Sequence, residues 1–171
     1  MYSRGVPIRP VEPEDAEELA ALYAANREFL APFEPVRPPE FFTADGQRER
    51  LRRQLDGETH PFAILDGEAI AGTINVFSIV RDGPESCTIG YWVDGARNGR
   101  GLATAAVGEI VAFAFGDLGL HRVEAATLVD NVPSQRVLEK NGFERIGLAR
   151  RFLRIGGDWR DFFLHQRLAD D

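Results

Sequence analysis

One segment of the chain combines a strand pattern, a glycine-rich turn and a helix pattern in direct succession. Residues Thr88–Val93 are rich in β-branched and aromatic side chains, which favour a β-strand. Two glycines follow, Gly99 and Gly101, and an apolar helical pattern begins at Leu102. Such a turn directs unpaired backbone N–H groups and the positive end of the helix dipole toward an anion. Because two arginines lie in the same turn, the segment predicts a phosphate-binding site.

Three kinds of phosphate-binding turn compete for this segment. The P-loop pattern needs a Gly-Lys-Ser/Thr ending, which the chain lacks. The dinucleotide fingerprint needs glycines directly after the strand, but several residues separate Val93 from Gly99, and Thr104 replaces the third small residue. The third is the acyl-coenzyme A turn, Gln/Arg-x-x-Gly-x-Gly/Ala, which residues 98–103 match except for Asn98 at the first position. A surface turn without a ligand is the remaining alternative.

Length and composition predict a single soluble domain, residues 1–171. The sequence lacks an apolar run of about 18 residues and an apolar signal segment, so we expect a cytoplasmic protein without a membrane span. Cys87 is the only cysteine and no cluster has metal-ligand spacing, so no metal is expected. The net charge of −7 argues against nucleic-acid binding; it fits basic or amine-bearing substrates, and more simply an acidic surface without a specific role. Whether the chain is a monomer or a homodimer stays open.

The order of elements is β α α β β β α β α β β, which predicts an α/β fold with a mixed, about seven-stranded sheet and four helices. The expected strands are Val6–Arg9, Phe62–Leu65, Ala69–Phe77, Cys87–Val93, His121–Val129, Phe143–Ile155 and Trp159–Leu168. The expected helices span residues 12–27, 43–55, 102–119 and 132–140, with caps at Thr43 or Asp45 and at Asn131. Gly72, inside a strand, predicts a bulge or a close backbone approach. The stretch Phe29–Pro35 is expected to be irregular because two prolines interrupt it.

This order of elements and four short motifs resemble the GNAT superfamily of N-acetyltransferases along essentially the whole chain. Within it, the chain is similar to the RimJ/RimL group of ribosomal-protein N-terminal acetyltransferases. The motifs are Ile89–Trp92, Gly99–Ala103, Asp130–Phe143 and Asn26–Pro35. The resemblance implies transfer of an acetyl group from acetyl-coenzyme A to a primary amine, either the α-amine of a protein N-terminus or a small-molecule amine.

The resemblance also implies a cofactor site between two central parallel strands, Thr88–Val93 and Val123–Val129, which splay apart. Its residues would be Trp92, Val93, Asn98, Gly99, Arg100, Gly101, Leu102, Ala103, Thr104, Asn131 and Ser134. Asn131 would contact the pantetheine arm, and Ser134 would protonate the departing thiolate. A backbone N–H near Trp92 would stabilise the oxyanion. The alternatives are a purely structural helix cap for Asn131 and a solvated serine at Ser134.

The acceptor side is expected to include Arg27, Phe29, Phe33, Glu34 and Tyr91. Many relatives carry a glutamate base where this chain has Thr88, and another glutamate, proposed in RimL, would fall near Leu153. Glu34 and Glu85 are the remaining carboxylates in reach. Glu34 is the candidate catalytic carboxylate, which would hold the incoming amine by its charge. An α-amine, with a pKa of about 7.7–8.0, needs little help to lose its proton, so the missing base favours an α-amine acceptor.

Two other functions stay open at this point. One is a nicotinamide-dependent oxidoreductase that uses the same glycine turn. The other is a non-catalytic acyl-coenzyme A sensor that kept the cleft and lost its base, which the Thr88 departure brings into consideration. The identity of the acceptor, the general base and the range of acyl chains do not follow from the sequence.

Overall fold

The structure is a computed structural model that describes residues 7–171, so Val6 of the first expected strand lies outside the described residues. A seven-stranded sheet with the order β1-β2-β3-β4-β5-β7-β6 forms its centre. Only β4 and β5 pair in parallel, which confirms the expected mixed sheet. The strands are β1 (Ile8–Pro10), β2 (His60–Asp66), β3 (Ala69–Val80), β4 (Ser86–Val93), β5 (Arg122–Leu128), β6 (Glu144–Ile155) and β7 (Asp158–Leu168).

Within residues 7–171, five α-helices pack on the two faces of this sheet, one more than expected. They are α1 (Ala16–Ala25), α2 (Arg27–Leu30), α3 (Ala44–Leu55), α4 (Leu102–Gly116) and α5 (Val132–Lys140). Short 3-10 turns precede α1, α3 and α4 at Pro13–Asp15, Pro39–Phe42 and Gly95–Arg97. Helices α4 and α5 cover one face, with Val107, Ile110 and Leu138 fully buried there. Helices α1 and α3 cover the other face around Tyr23 and Leu51. Within residues 7–171, no helix is both long and apolar enough to cross a membrane.

The expectation for the stretch Phe29–Pro35 was wrong in its first part. Phe29 and Leu30 belong to the short helix α2, which the prolines do not disturb because they follow its end. Asn26 separates α1 from α2: its side-chain amide donates to the Leu22 carbonyl at 3.0 Å. The same side chain accepts a hydrogen bond from the Gly95 N–H at 2.9 Å. This buried asparagine therefore fastens the start of α2 to the turn that follows β4.

Strands β4 and β5 lie together only at their first residues. Their parallel register covers Ser86–Thr88 against Arg122–Glu124, although both strands continue for several more residues. Each strand keeps a full antiparallel neighbour on its other side, β3 for β4 and β7 for β5. The expected splaying of the central parallel strands is confirmed, and it leaves a wedge-shaped opening within the sheet.

Gly72 lies opposite the irregular step between Ile64 and Leu65, where the β2–β3 register shifts. A Cβ atom at Gly72 would collide with the Trp92 carbonyl oxygen and lie 2.9 Å from the Val93 Cα. The predicted close backbone approach is therefore confirmed. It lets β3 press directly against the end of β4 that borders the opening.

Replacing Gly72 with alanine should lower the free energy of unfolding by about 1–3 kcal/mol, because the new methyl group forces β3 and β4 apart. Thermal denaturation measures this change. The matched control is Gly147→Ala in β6, where an added Cβ meets no atom within 4 Å. Equal stability of the two variants would contradict the close approach.

Candidate active site

The wedge between β4 and β5 opens into a cleft of about 580 Å³. It is bounded by α2, the end of β4, the glycine turn, the first turn of α4, and α5. The lining residues are Phe29, Leu30, Phe33, Tyr91, Trp92, Val93, Arg97, Asn98, Gly99, Gly101, Leu102, Ala103, Thr104, Asn131, Pro133, Ser134, Arg136, Val137 and Lys140. Every expected cofactor residue except Arg100 lies in this wall.

The glycine turn presents bare backbone to the cleft. Gly99 and Gly101 adopt positive φ angles of 77° and 78°. Residues other than glycine rarely adopt such angles, because their Cβ atom is strained there. Gly101 is the N-cap of α4 and offers no side chain to bond the first N–H groups of the helix. A Cβ at either glycine would meet no atom within 4 Å, so the space beside the backbone is open. This helix start can accept an anion.

The two arginines of the turn carry less free charge than the sequence suggests. Asp66, in the β2–β3 hairpin, pairs with Arg100 at 2.6 Å and with Arg97 at 3.3 Å. Asp94 pairs with Arg97 at 3.0 Å. Two carboxylates thus offset two guanidinium groups, and the Arg100 side chain points out of the cleft.

The cleft instead receives free positive charge from α5. Arg136 and Lys140 lie one helical turn apart, line the cleft, and form no ion pair with any residue of the described chain 7–171. Sequence reasoning missed both. Their i, i+4 spacing on a helix that begins beside Asn131 was the available signal.

The edge of β4 supplies backbone hydrogen-bonding groups to the opening. The Asp94 N–H donates to the Ala71 carbonyl at 2.7 Å, so these two residues form a hydrogen-bonded pair of the β3–β4 ladder. Because such pairs alternate along antiparallel strands, the backbone groups of Trp92 also face β3. Those of Tyr91 and Val93 then face the opening, where β5 has moved away. Near Trp92, the N–H groups of Tyr91 and Val93, and not that of Trp92 itself, are therefore the ones available to a ligand in the opening.

Ser134 lies where the cleft meets a second, smaller cavity. The Asn131 side chain caps α5 by accepting from the Ser134 N–H at 3.3 Å, which confirms the predicted cap. The Tyr91 hydroxyl oxygen lies 2.8 Å from Ser134 Oγ and 3.2 Å from the Ser134 carbonyl oxygen, so it can hydrogen-bond to either. Sequence reasoning placed these two residues on different sides of the reaction and missed the bond between them.

The second cavity, of about 170 Å³, fills the gap between β4 and β5. It is lined by Leu30, Phe33, Glu34, Ile89, Gly90, Tyr91, Trp92, Ala125, Ala126, Thr127, Leu128, Asn131, Ser134, Leu138 and Phe162. Of the expected acceptor residues, Phe33, Glu34 and Tyr91 belong to this wall and Phe29 to the larger cleft. Arg27 lines neither cavity, because its guanidinium stacks over Phe42 at 4.5 Å. Glu85, which directly precedes β4, also lines neither cavity.

Glu34 is the only carboxylate that reaches either cavity within residues 7–171. Burial raises the pKa of Glu34, and the nearby Arg37 and Arg50 oppose that rise. The nearest cationic atom, Arg37 Nε, is 3.6 Å away, a loose ion pair. A carboxylate held in this way can accept a cationic or hydrogen-bonding ligand group from the cavity.

Other reactive groups are buried or already paired. Burial raises the pKa of the Cys87 thiol to about 12, so Cys87 is not a nucleophile at neutral pH. His165 is buried against Thr127, at 3.0 Å, and burial lowers its pKa. Residues 7–171 contain no group of three or more side chains arranged to hold a metal ion.

The raised pKa of Glu34 predicts a pH-dependent stability. The folded chain binds the Glu34 proton more tightly than the unfolded chain, so the residue stabilises folding when protonated and loses that contribution as pH rises. The wild type should therefore lose stability relative to Glu34→Gln above about pH 4.3, until the folded-state pKa is passed. Thermal denaturation from pH 4 to 8 tests this. The same exchange at exposed Glu28 corrects for the loss of one negative charge. A wild-type advantage that grows with pH would contradict the assignment.

Comparison with known proteins shows the family to which the chain belongs. The acetyltransferase (GNAT) domain family matches residues 6–144. A relative from Bacillus subtilis, described as the probable N-acetyltransferase YjcK, is 41% identical over 169 residues, covering 95% of this chain and 91% of the relative. The Escherichia coli [ribosomal protein uS5]-alanine N-acetyltransferase is 32% identical over 163 residues, covering 92% of this chain and 84% of the relative.

Solved structures agree with the sequence relatives. RimJ of Mycobacterium smegmatis, solved in complex with CoA-disulfide, superposes with a TM-score of 0.90 and 32% identity over 95% of this chain and 81% of that one. The similarity to RimJ in both fold and sequence is consistent with the splayed sheet and with the motifs that carry the resemblance. The chain belongs to the GNAT family of acetyltransferases, in the RimJ/RimL-like group, and is an acyltransferase.

Proposed function

We propose that the protein transfers an acetyl group from acetyl-coenzyme A to the N-terminal α-amine of a protein, by direct attack while both substrates are bound. The observation that carries the proposal is that the larger cleft and the smaller cavity, both between the splayed strands, meet at Ser134. The identity to uS5-alanine N-acetyltransferase over most of both chains supports a ribosomal-protein-like acceptor.

The larger cleft suits coenzyme A in its chemistry. The pyrophosphate would bind the open backbone of Asn98–Thr104 at the start of α4, with Arg136 and Lys140 adding positive charge. The pantetheine amides would pair with the free backbone carbonyl groups of Val93 and Tyr91 and with the Asn131 side chain. Arg100 would contribute only its backbone, because its side chain is held by Asp66.

The smaller cavity suits a short, amine-bearing end of a chain. Its walls are mostly apolar or small, including Ala125, Ala126 and Phe162, and Glu34 is its only charge within the described residues 7–171. Glu34 would attract the incoming ammonium and hold the amine beside Tyr91. A volume of about 170 Å³ favours a small first residue over a large one.

The chemistry requires a neutral amine, stabilisation of a developing oxyanion, and a proton for the leaving thiolate. Acetyl-coenzyme A supplies an acyl group activated as a thioester. The Tyr91 and Val93 N–H groups, free at the opening, would stabilise the oxyanion. Ser134 would deliver the proton. An α-amine is appreciably neutral near pH 7, unlike a lysine side chain with a pKa of about 10.4.

Thiol release from acetyl-coenzyme A, measured against a panel of amines, tests this function. The panel contains peptides with free Ala or Ser N-termini, the same peptides blocked at the N-terminus and carrying lysine, single amino acids and polyamines. We expect turnover with the free N-termini and none with the blocked peptides.

The panel also separates the alternatives. Turnover of amino acids or polyamines alone would replace the protein acceptor with a small-molecule amine. Binding of acetyl-coenzyme A without turnover of any amine would indicate an acyl-coenzyme A sensor. Binding of NAD in its place would contradict the acyltransferase assignment.

Gly101→Val should weaken coenzyme A binding by about tenfold or more, about 1.4 kcal/mol, because a side chain would occupy the space beside the helix start. Calorimetry with coenzyme A measures the change. Gly83→Val is the matched control: Gly83 also has a positive φ, 89°, and open surroundings, but it lies in the β3–β4 loop. Equal affinity of the two folded variants would remove the turn from the cofactor site.

A further inference from the structure

Tyr91 links the two cavities through its hydroxyl. Its side chain lines both of them, and the hydroxyl lies 2.8 Å from Ser134 Oγ. The Ser134 carbonyl, at 3.2 Å, is the other acceptor within reach, but it lies inside α5, whose own N–H groups satisfy such carbonyls. Either hydroxyl of the 2.8 Å pair can be the donor. In the arrangement where Tyr91 donates to Ser134 Oγ, the Ser134 proton is free to be donated.

Within residues 7–171, neither hydroxyl of this pair is hydrogen-bonded to a carboxylate or a histidine. Glu34 is the only carboxylate in the cavity walls of residues 7–171, and the other charged groups there are the cations Arg97, Arg136 and Lys140. Burial raises the pKa of Tyr91 to about 12, opposed by the bond to Ser134. The phenol is therefore protonated at neutral pH. A protonated hydroxyl can still accept a proton on its free lone pair while it releases its own.

We propose that Tyr91 and Ser134 form a proton relay from the attacking amine to the departing sulfur. This inference rests on the proposed function of the site. As the N–C bond forms and the C–S bond breaks, the amine proton passes to the Tyr91 oxygen. The Tyr91 proton passes to Ser134 Oγ, and the Ser134 proton passes to the sulfur. Both hydroxyls end as they began, and the products are the amide and the thiol.

The relay avoids an unstable intermediate that would form if Ser134 acted alone. A serine that protonated the sulfur unaided would be left as an alkoxide, which is far less stable than a phenolate. Tyr91 replaces the lost proton at once, through a contact already in place. The relay also accounts for a working site in which Thr88 stands where many relatives carry a glutamate.

Tyr91→Phe tests the relay, since it keeps the ring in both walls and removes only the hydroxyl. We expect kcat to fall toward the low end of the about 10²–10⁴-fold that a positioned proton-transfer group contributes, with coenzyme A affinity unchanged. The matched control is Tyr23→Phe, which removes a buried hydroxyl bonded to the Trp92 indole at 3.1 Å and lining neither cavity. This control should lower stability and leave kcat unchanged.

Two further measurements separate a relay from simple packing. The double variant Tyr91→Phe, Ser134→Ala should lose no more kcat than the worse single variant, because both act on one proton path. The rate in mixtures of H₂O and D₂O should indicate several moving protons in the wild type and fewer in Tyr91→Phe. Additive losses, an unchanged kcat, or a loss confined to KM would overturn the relay.

The assay uses whichever amine the wild type acetylates, so the relay is judged apart from the acceptor. Turnover of a small amine, with the signature described for Tyr91→Phe, would refute the protein acceptor and support the relay. The reverse result, turnover of free N-termini with a fully active Tyr91→Phe, would support the acceptor and refute the relay. A wild type that turns over no amine refutes both.

Discussion

The parting of β4 from β5 is the constraint on which the rest of the site depends. Unpaired backbone groups inside a sheet are costly, and two parallel strands normally stay paired along their length. Here they pair over Ser86–Thr88 and then separate. The split is sustained because each strand keeps a full antiparallel ladder on its outer side. Both cavities, and the free N–H groups of Tyr91 and Val93, exist only because of it.

One glycine, Gly95, connects the glycine turn with helix α2. The N–H of Gly95, just before the turn, donates to the Asn26 side chain. The missing Cβ of Gly95 lets the Phe29 ring approach, since an added Cβ would lie 3.2 Å from it. Helix α2 is therefore positioned over the cleft by contacts with the same loop that leads to the glycine turn.

The features that the sequence predicted are those with local causes. The mixed, seven-stranded sheet follows from the succession of elements, the Asn131 cap from the residues next to it, and the Gly72 approach from a missing side chain within a strand. The features missed are contacts between distant parts of the chain. The pairing of Asp66 with Arg100 spans 34 residues, and the Tyr91–Ser134 bond spans 43. No local pattern reports such contacts, so the charge of the turn was overestimated and the hydroxyl pair was overlooked.

Glu34 shows how stability and activity are balanced in this fold. A half-buried carboxylate with a raised pKa disfavours folding at neutral pH, and its ion pair with Arg37 is long. A glutamine would fit the same volume without that penalty, so the acid is difficult to explain by stability alone. A cation arriving in the small cavity would give the carboxylate the close partner that the folded chain withholds. Since perturbed carboxylates in clefts are characteristic of functional sites, the penalty itself supports an amine-binding role for this wall.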